Sequence, residues 1–141
     1  MCENVPDSEY NRIQHFISVS PWDAAAVMHK VAYDTSEAFR NIGKVGLLID
    51  ESGFEKKGTE SVGVARQYNG NLGKVDNCQV AVFAALSGGE YYSLVDTRLY
   101  LPREWTDDKK RCLEAGVPEE EIKFRTKPEL ALEMIKSLRE R

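Results

Sequence analysis

Apolar residues recur at helical spacing near both ends of the chain and gather into continuous runs between them. Ile13, Phe16 and Ile17 predict a short first helix, for which Asp7 or Ser8 is the expected cap. Ser20-Pro21-Trp22-Asp23 then reads as a second helix start, with Ser20 as cap, Pro21 in the first helical position and Asp23 at the positive end. Trp22, Ala25, Ala26, His29 and Tyr33 would form its packing face.

From Lys44 the period changes. Val45 and Leu47–Ile49 form a nearly continuous apolar run ending at Asp50, the pattern of a strand covered on both faces. A second such run, Gln79–Leu86, precedes Ser87-Gly88-Gly89, and Glu90–Leu101 partly alternates, which predicts a hairpin. The Gly- and Lys-rich segment between the runs, Phe54–Asn77, is long for a structureless connection, so it is expected to be functional or to hold a short strand near Val62–Tyr68.

Helix returns in the last third. Trp105–Ala115 would end at Gly116 with Pro118 just beyond, and Thr126-Lys-Pro-Glu129 is a capping-box pattern. Ala131, Met134, Ile135 and Leu138 line one face of the helix that follows. The order predicts an α/β fold in α+β layers: three antiparallel strands with flanking helices. A buried strand 45–49 requires a neighbour on each side, and the hairpin provides only one, so the fold is expected to be incomplete at the C-terminus.

Composition narrows the class. In 141 residues, 42% hydrophobic and 30% charged positions are enough for one core, and no apolar run reaches the roughly 18–20 residues of a membrane span. No apolar stretch follows the start, so a cytoplasmic domain without a secretory signal or membrane contact is expected. Cys2, Cys78 and Cys112 are widely spaced and show no metal-binding pattern, so they read as buried structural thiols in a reducing compartment. The formal charge of −4 argues against a domain that grips DNA over its whole surface, and any such contact must be local.

Asp50 is the leading candidate for chemistry, because a carboxylate at a strand end is held rigidly and suits a hard cation such as Mg²⁺. A plain turn-capping role is the favoured reading from spacing alone. Glu51 would point to the opposite side of the strand. Asp96 would lie two strands away, about 9–10 Å, too far to share an ion, and would pair with Arg98 or meet solvent. Lys56, Lys57, Arg66 and Lys74 form the one basic, glycine-containing stretch, suited to phosphate or to plain solvation. Trp22 and Trp105 read as packing residues.

Several motifs resemble one family. They are Leu47-Leu-Ile-Asp-Glu-Ser-Gly-Phe-Glu-Lys-Lys-Gly58, Ser61-Val-Gly-Val-Ala-Arg-Gln-Tyr68, Gly73-Lys-Val-Asp-Asn-Cys-Gln-Val-Ala-Val82, Arg98-Leu-Tyr-Leu-Pro-Arg-Glu-Trp105 and Phe124-Arg-Thr-Lys-Pro-Glu-Leu-Ala-Leu-Glu133. Over essentially its whole length the chain resembles the DDE-type bacterial insertion-sequence transposases, in the insertion-sequence-701 branch of the IS-four-like group. The resemblance implies a ribonuclease-H-like core in which three acids hold two Mg²⁺ ions for in-line attack on a DNA phosphodiester. It implies that Asp50 is the first of those acids, a catalytic metal ligand, and that Lys56, Lys57, Arg66 and Lys74 lie along the DNA.

The second and third acids of the family have no counterpart in this chain. The expectation is therefore a truncated transposase: residues 1–43 a helical remnant and 44–141 the first half of the catalytic domain, inactive alone. The alternative is a non-catalytic binding or regulatory subunit that pairs with itself, with full-length transposase or with a complementary C-terminal half.

Overall fold

A computed structural model describes residues 9–140, and Cys2, Asp7 and Ser8 lie outside them. The first helix, α1 (Tyr10–Ser18), starts from Glu9, whose side chain makes no capping bond. The second, α2 (Ala24–Phe39), is capped by Asp23, which accepts from the Ala26 N–H at 3.0 Å. That start lies beyond the expected Ser20-Pro21, because the Asp23 carboxylate reaches a free N–H of the first turn. The Ser20 hydroxyl instead lies 3.3 Å from His15 Nδ1. The buried positions of α2 are Ala32 and Thr35, whereas Tyr33 stays exposed, so the packing face is rotated from the expected one. Trp22 is also exposed and stacks on Phe16 rather than entering a core.

Four strands follow: β1 (Val45–Glu55), β2 (Ala65–Asn69), β3 (Lys74–Gly88) and β4 (Tyr91–Leu99). All pairings are antiparallel and all use β3. Strand β3 is central because it is long enough to pair with β1 from Cys78 to Gly88, with β4 from Ala81 to Gly88, and with β2 from Lys74 to Cys78. The short strand expected near Val62–Tyr68 is β2. The hairpin turn is Gly89-Glu90, with Gly89 at φ 61°, while Gly88 still pairs with Tyr91.

The expectation of a central, doubly covered strand 45–49 is not met. Among the described residues β1 pairs only with β3, and Leu48 is 58% exposed. Its apolar run reflects one packed face and one bare face, not two packed ones.

The packed face carries Ile49, Val82, Ala84 and Leu86. Against it lie α2 through Ala32 and the last helix, α5 (Lys127–Arg139), through Leu130 and Met134. A register shift between Ala84 and Ala85 leaves Val95 as an extra residue in β4. Val95 and Asp96 are consequently both buried although they are neighbours in sequence. Thr126 caps α5 and Glu129 returns the bond, completing the expected capping box.

The expected helix over Trp105–Ala115 is two short ones, α3 (Arg103–Thr106) and α4 (Lys109–Glu114), because Asp108 caps a new start by accepting from the Arg111 N–H. Gly116, at φ 83°, follows. Trp105 is fully buried with Cys112 and Val117, and its indole N–H donates to the Val64 carbonyl at 2.8 Å. This α/β layering, helices on one face of an antiparallel sheet, agrees with a partial ribonuclease-H-like core. Among the described residues no helix is long and apolar enough to cross a membrane.

Candidate functional site

Strand alternation sorts the acids near β1. Glu51 pairs in register with Val82 on the packed face, where its carboxylate meets Lys127 Nζ at 2.7 Å. Asp50 pairs with Phe83 and so belongs to the other face. That face also carries Leu48, Phe54 and Leu94. Phe54 and Phe83 meet edge to face with ring centroids 6.2 Å apart, which confirms the alignment.

Asp50 is exposed, and its Oδ1 accepts from the Glu51 backbone N–H at 2.8 Å. Its second oxygen takes part in none of the hydrogen bonds among the described residues. The Asp50 carboxylate is therefore exposed on the sheet face opposite Glu51, with one oxygen outside the hydrogen bonds of the described residues.

Asp96 is placed differently. It pairs with Ala84 on the packed face, is 2% exposed, and bonds the Thr97 N–H and the Arg98 guanidinium, the latter at 3.3 Å. The expected partnership with Arg98 is present. The two acids lie on opposite faces as well as on different strands. Among the described residues no three His, Cys, Asp or Glu side chains are grouped to hold a metal ion. The described residues thus offer a cation one carboxylate on the open face and do not by themselves fit a pair of metal ions.

The basic stretch forms a separate locality. Lys56 directly follows Glu55, five strand residues and about 17 Å from Asp50. The Lys56 N–H donates to the Asn77 carbonyl at 3.0 Å, and Asn77 in turn pairs with Arg66 across the β2–β3 ladder. Lys57 and Arg66 are exposed. Lys74 is bound to Asp76 at 2.8 Å, and that hydrogen bond raises the lysine and lowers the carboxyl from their ordinary values. Lys56, Lys57 and Arg66 thus lie in one neighbourhood away from Asp50, and Lys74 is already paired.

Side-chain amides that sequence reasoning missed hold this region together. Asn77 Nδ2 donates to the carbonyls of Lys56 at 2.7 Å and Gly58 at 2.8 Å. Asn71 Nδ2 ties the β2–β3 turn to Gly53 O at 2.9 Å. No local sequence signal marks either residue, because their acceptors lie 18 to 21 positions away. Cys78 and Cys112 are free, buried thiols, each pushed above its ordinary pKa by burial, as expected of structural cysteines.

Comparison with known proteins supplies the class. The family model for DDE superfamily endonucleases matches residues 1–141. The chain belongs to this family. It is also similar to the probable transposase for insertion sequence element IS701 of Microchaete diplosiphon, 38% identical over 131 residues. That alignment covers 89% of this chain and 30% of the relative, so the chain spans less than a third of the curated protein it matches. No solved structure matches.

Proposed function

We propose that residues 44–141 form the first half of a DDE transposase catalytic domain, preceded by a helical segment, 1–43. In this reading Asp50 is the first metal-binding carboxylate for DNA cleavage and strand transfer at insertion-sequence ends. The observation that carries it is the position of Asp50. It lies on the uncovered sheet face of a DDE-family chain, while the neighbouring Glu51 is committed to Lys127 on the other face.

Mg²⁺, when bound, would polarise the phosphodiester and activate the attacking oxygen. Asp50 contributes one rigidly held ligand to that task and accepts the Glu51 N–H, which orients its carboxylate. One ligand is too few to hold the ions against hydration, so the chain alone is expected to be inactive. The half-buried Lys56 and the exposed Lys57 and Arg66 would contact DNA phosphates at a distance from the reacting centre, with Lys74, engaged by Asp76, held beside them. A cytoplasmic location accords with this role.

The test is a chimaera in which this chain replaces the matching segment of the IS701 transposase. With Mg²⁺ it is expected to cleave insertion-sequence ends, and Asp50→Ala is expected to abolish cleavage, while the 141-residue chain cleaves nothing by itself. Full activity in the Asp50→Ala chimaera would overturn the assignment.

A second reading rests on the free side of β1. An eleven-residue strand with only β3 beside it among the described residues can accept another strand. The chain would then be a binding or regulatory subunit for full-length transposase, for a C-terminal half or for itself. Co-purification with a polypeptide carrying the other acids supports it, and failure to associate with such a polypeptide rejects it.

A further inference from the structure

The Lys56–Gly58 turn is built rather than loose. Asn77 holds it through both backbone and side chain: the Asn77 backbone carbonyl accepts from Lys56 N, and Asn77 Nδ2 donates to Lys56 O and Gly58 O. Gly58 sits at φ 86°, a left-handed conformation that glycine adopts without strain, so the turn can close on the amide. The Asn77 N–H is itself held by Asp76 Oδ1 at 2.8 Å, which anchors the clamp to the Asp76–Lys74 pair.

The clamp sits beside Arg66. Asn77 is the register partner of Arg66, so the residue that holds the lysine turn also stands next to the one exposed arginine of β2. Lys56, Lys57 and Arg66 form no ion pair with the described residues, in contrast to Lys74. Acids are near: Glu60 and Glu104 border the hollow beside Arg66, and Glu60 accepts from the Thr59 hydroxyl.

We propose that Asn77 is a positioning residue for nucleic-acid binding. By fixing the Lys56–Gly58 backbone beside Arg66, it presents Lys57 and Arg66 as a preformed clamp for backbone phosphates, with no contact of its own to the nucleic acid. The inference rests on the reading of the basic stretch as a DNA contact and deepens it. It also removes Lys74 from the phosphate set, because Lys74 is engaged by Asp76.

Binding is measured by fluorescence anisotropy with the full chain and a mixed-sequence 20-base-pair DNA duplex across a salt series. Lys57→Ala and Arg66→Ala are each expected to reduce the slope of log affinity against log salt by about 1, the signature of one lost phosphate contact. Lys74→Ala leaves the slope unchanged. Asn77→Ala, which removes no charge, is expected to reduce the slope by about 1 or more and to weaken binding roughly 3- to 10-fold at low salt. Asn71→Ala, the loss of a comparable amide clamp elsewhere, leaves it unchanged.

Thermal unfolding of each variant accompanies the titrations. If Asn77→Ala does not fold, Gly58→Ala decides in its place, since a side chain there strains the same turn. A wild-type slope in Asn77→Ala or, failing that, in Gly58→Ala, with reduced slopes in Lys57→Ala and Arg66→Ala, overturns the positioning role but keeps the basic stretch as a contact. Wild-type slopes in Lys57→Ala and Arg66→Ala overturn the contact itself.

Discussion

Lys127 Nζ lies 2.7 Å from Glu51 Oε2, which ties the first turn of α5 to β1 on the face opposite Asp50. Both side chains remain partly exposed, at 28% and 36%, so the pair acts in screened surroundings. A double-mutant cycle with Lys127→Ala and Glu51→Gln, followed by urea unfolding, is expected to give a coupling of about 0.2–1 kcal/mol that shrinks with added salt. The pair orients α5 more than it stabilises the chain.

Gly53 is expected to resist substitution for steric reasons alone. A Cβ at this position would lie 2.7 Å from Asn69 Oδ1, and Asn69 is buried and holds the Asn71 N–H, so it has little freedom to move. Gly53→Ala should lower stability by about 1–3 kcal/mol in urea unfolding, the usual cost of overpacking. Gly43→Ala, where an added Cβ meets nothing, serves as the control.

The uncovered sheet face predicts self-association. Leu48 is 58% and Leu94 56% exposed, and they flank Ala85 in one cross-strand row next to the row of Asp50. Contiguous apolar surface of this kind drives contact between copies or with another chain. The double variant Leu48→Lys, Leu94→Glu should elute closer to the monomer volume than the parent at high concentration, with an unfolding midpoint changed little.

The capping box gives stability a pH dependence of definite sign. Hydrogen bonds from the Thr126 backbone N–H, then from its hydroxyl, hold the Glu129 carboxyl below its ordinary value. A carboxyl depressed in the folded state contributes stability that is present above its unfolded pKa and lost as pH falls through its folded pKa. On acidification from pH 6 to pH 3, the parent is expected to lose stability more steeply than Glu129→Gln. Equal pH profiles for the two would show that the box makes no ionic contribution.

Much of the fold was legible because its signals are local. Thr126-Lys-Pro-Glu129 announces a helix whatever surrounds it, and Ala131, Met134, Ile135 and Leu138 mark its inner side, although Leu130 is more deeply buried than most of them. The hairpin and the short strand β2 were legible from apolar runs and glycines. Sequence alone puts the start of α2 too early, because Ser20 and Asp23 are both good caps and only the geometry of the chain entering the helix selects between them. The run Trp105–Ala115 reads as one helix because a capping aspartate inside a charged stretch leaves the periodicity unbroken, whereas Asp108 in fact starts a new helix.

The amino-acid sequence by itself determined which segments become strands or helices and that Asp50 and Glu51 point opposite ways, but it put Asp50 at a strand end, whereas β1 runs five residues further, to Glu55, because its ladder with β3 continues to Cys78. Those properties depend on dihedral preferences, capping and alternation within a few residues. Tertiary structure decided that β3 and not β1 is central, that Asp50 lies on the bare face, and that the basic turn begins about 20 Å away along β1. It also decided that Asn77 holds that turn, reaching Lys56 and Gly58 across 21 and 19 positions. The physical reason is one of range: strand order and side-chain amide partners depend on which distant backbones meet, and no pattern within a short window carries that information.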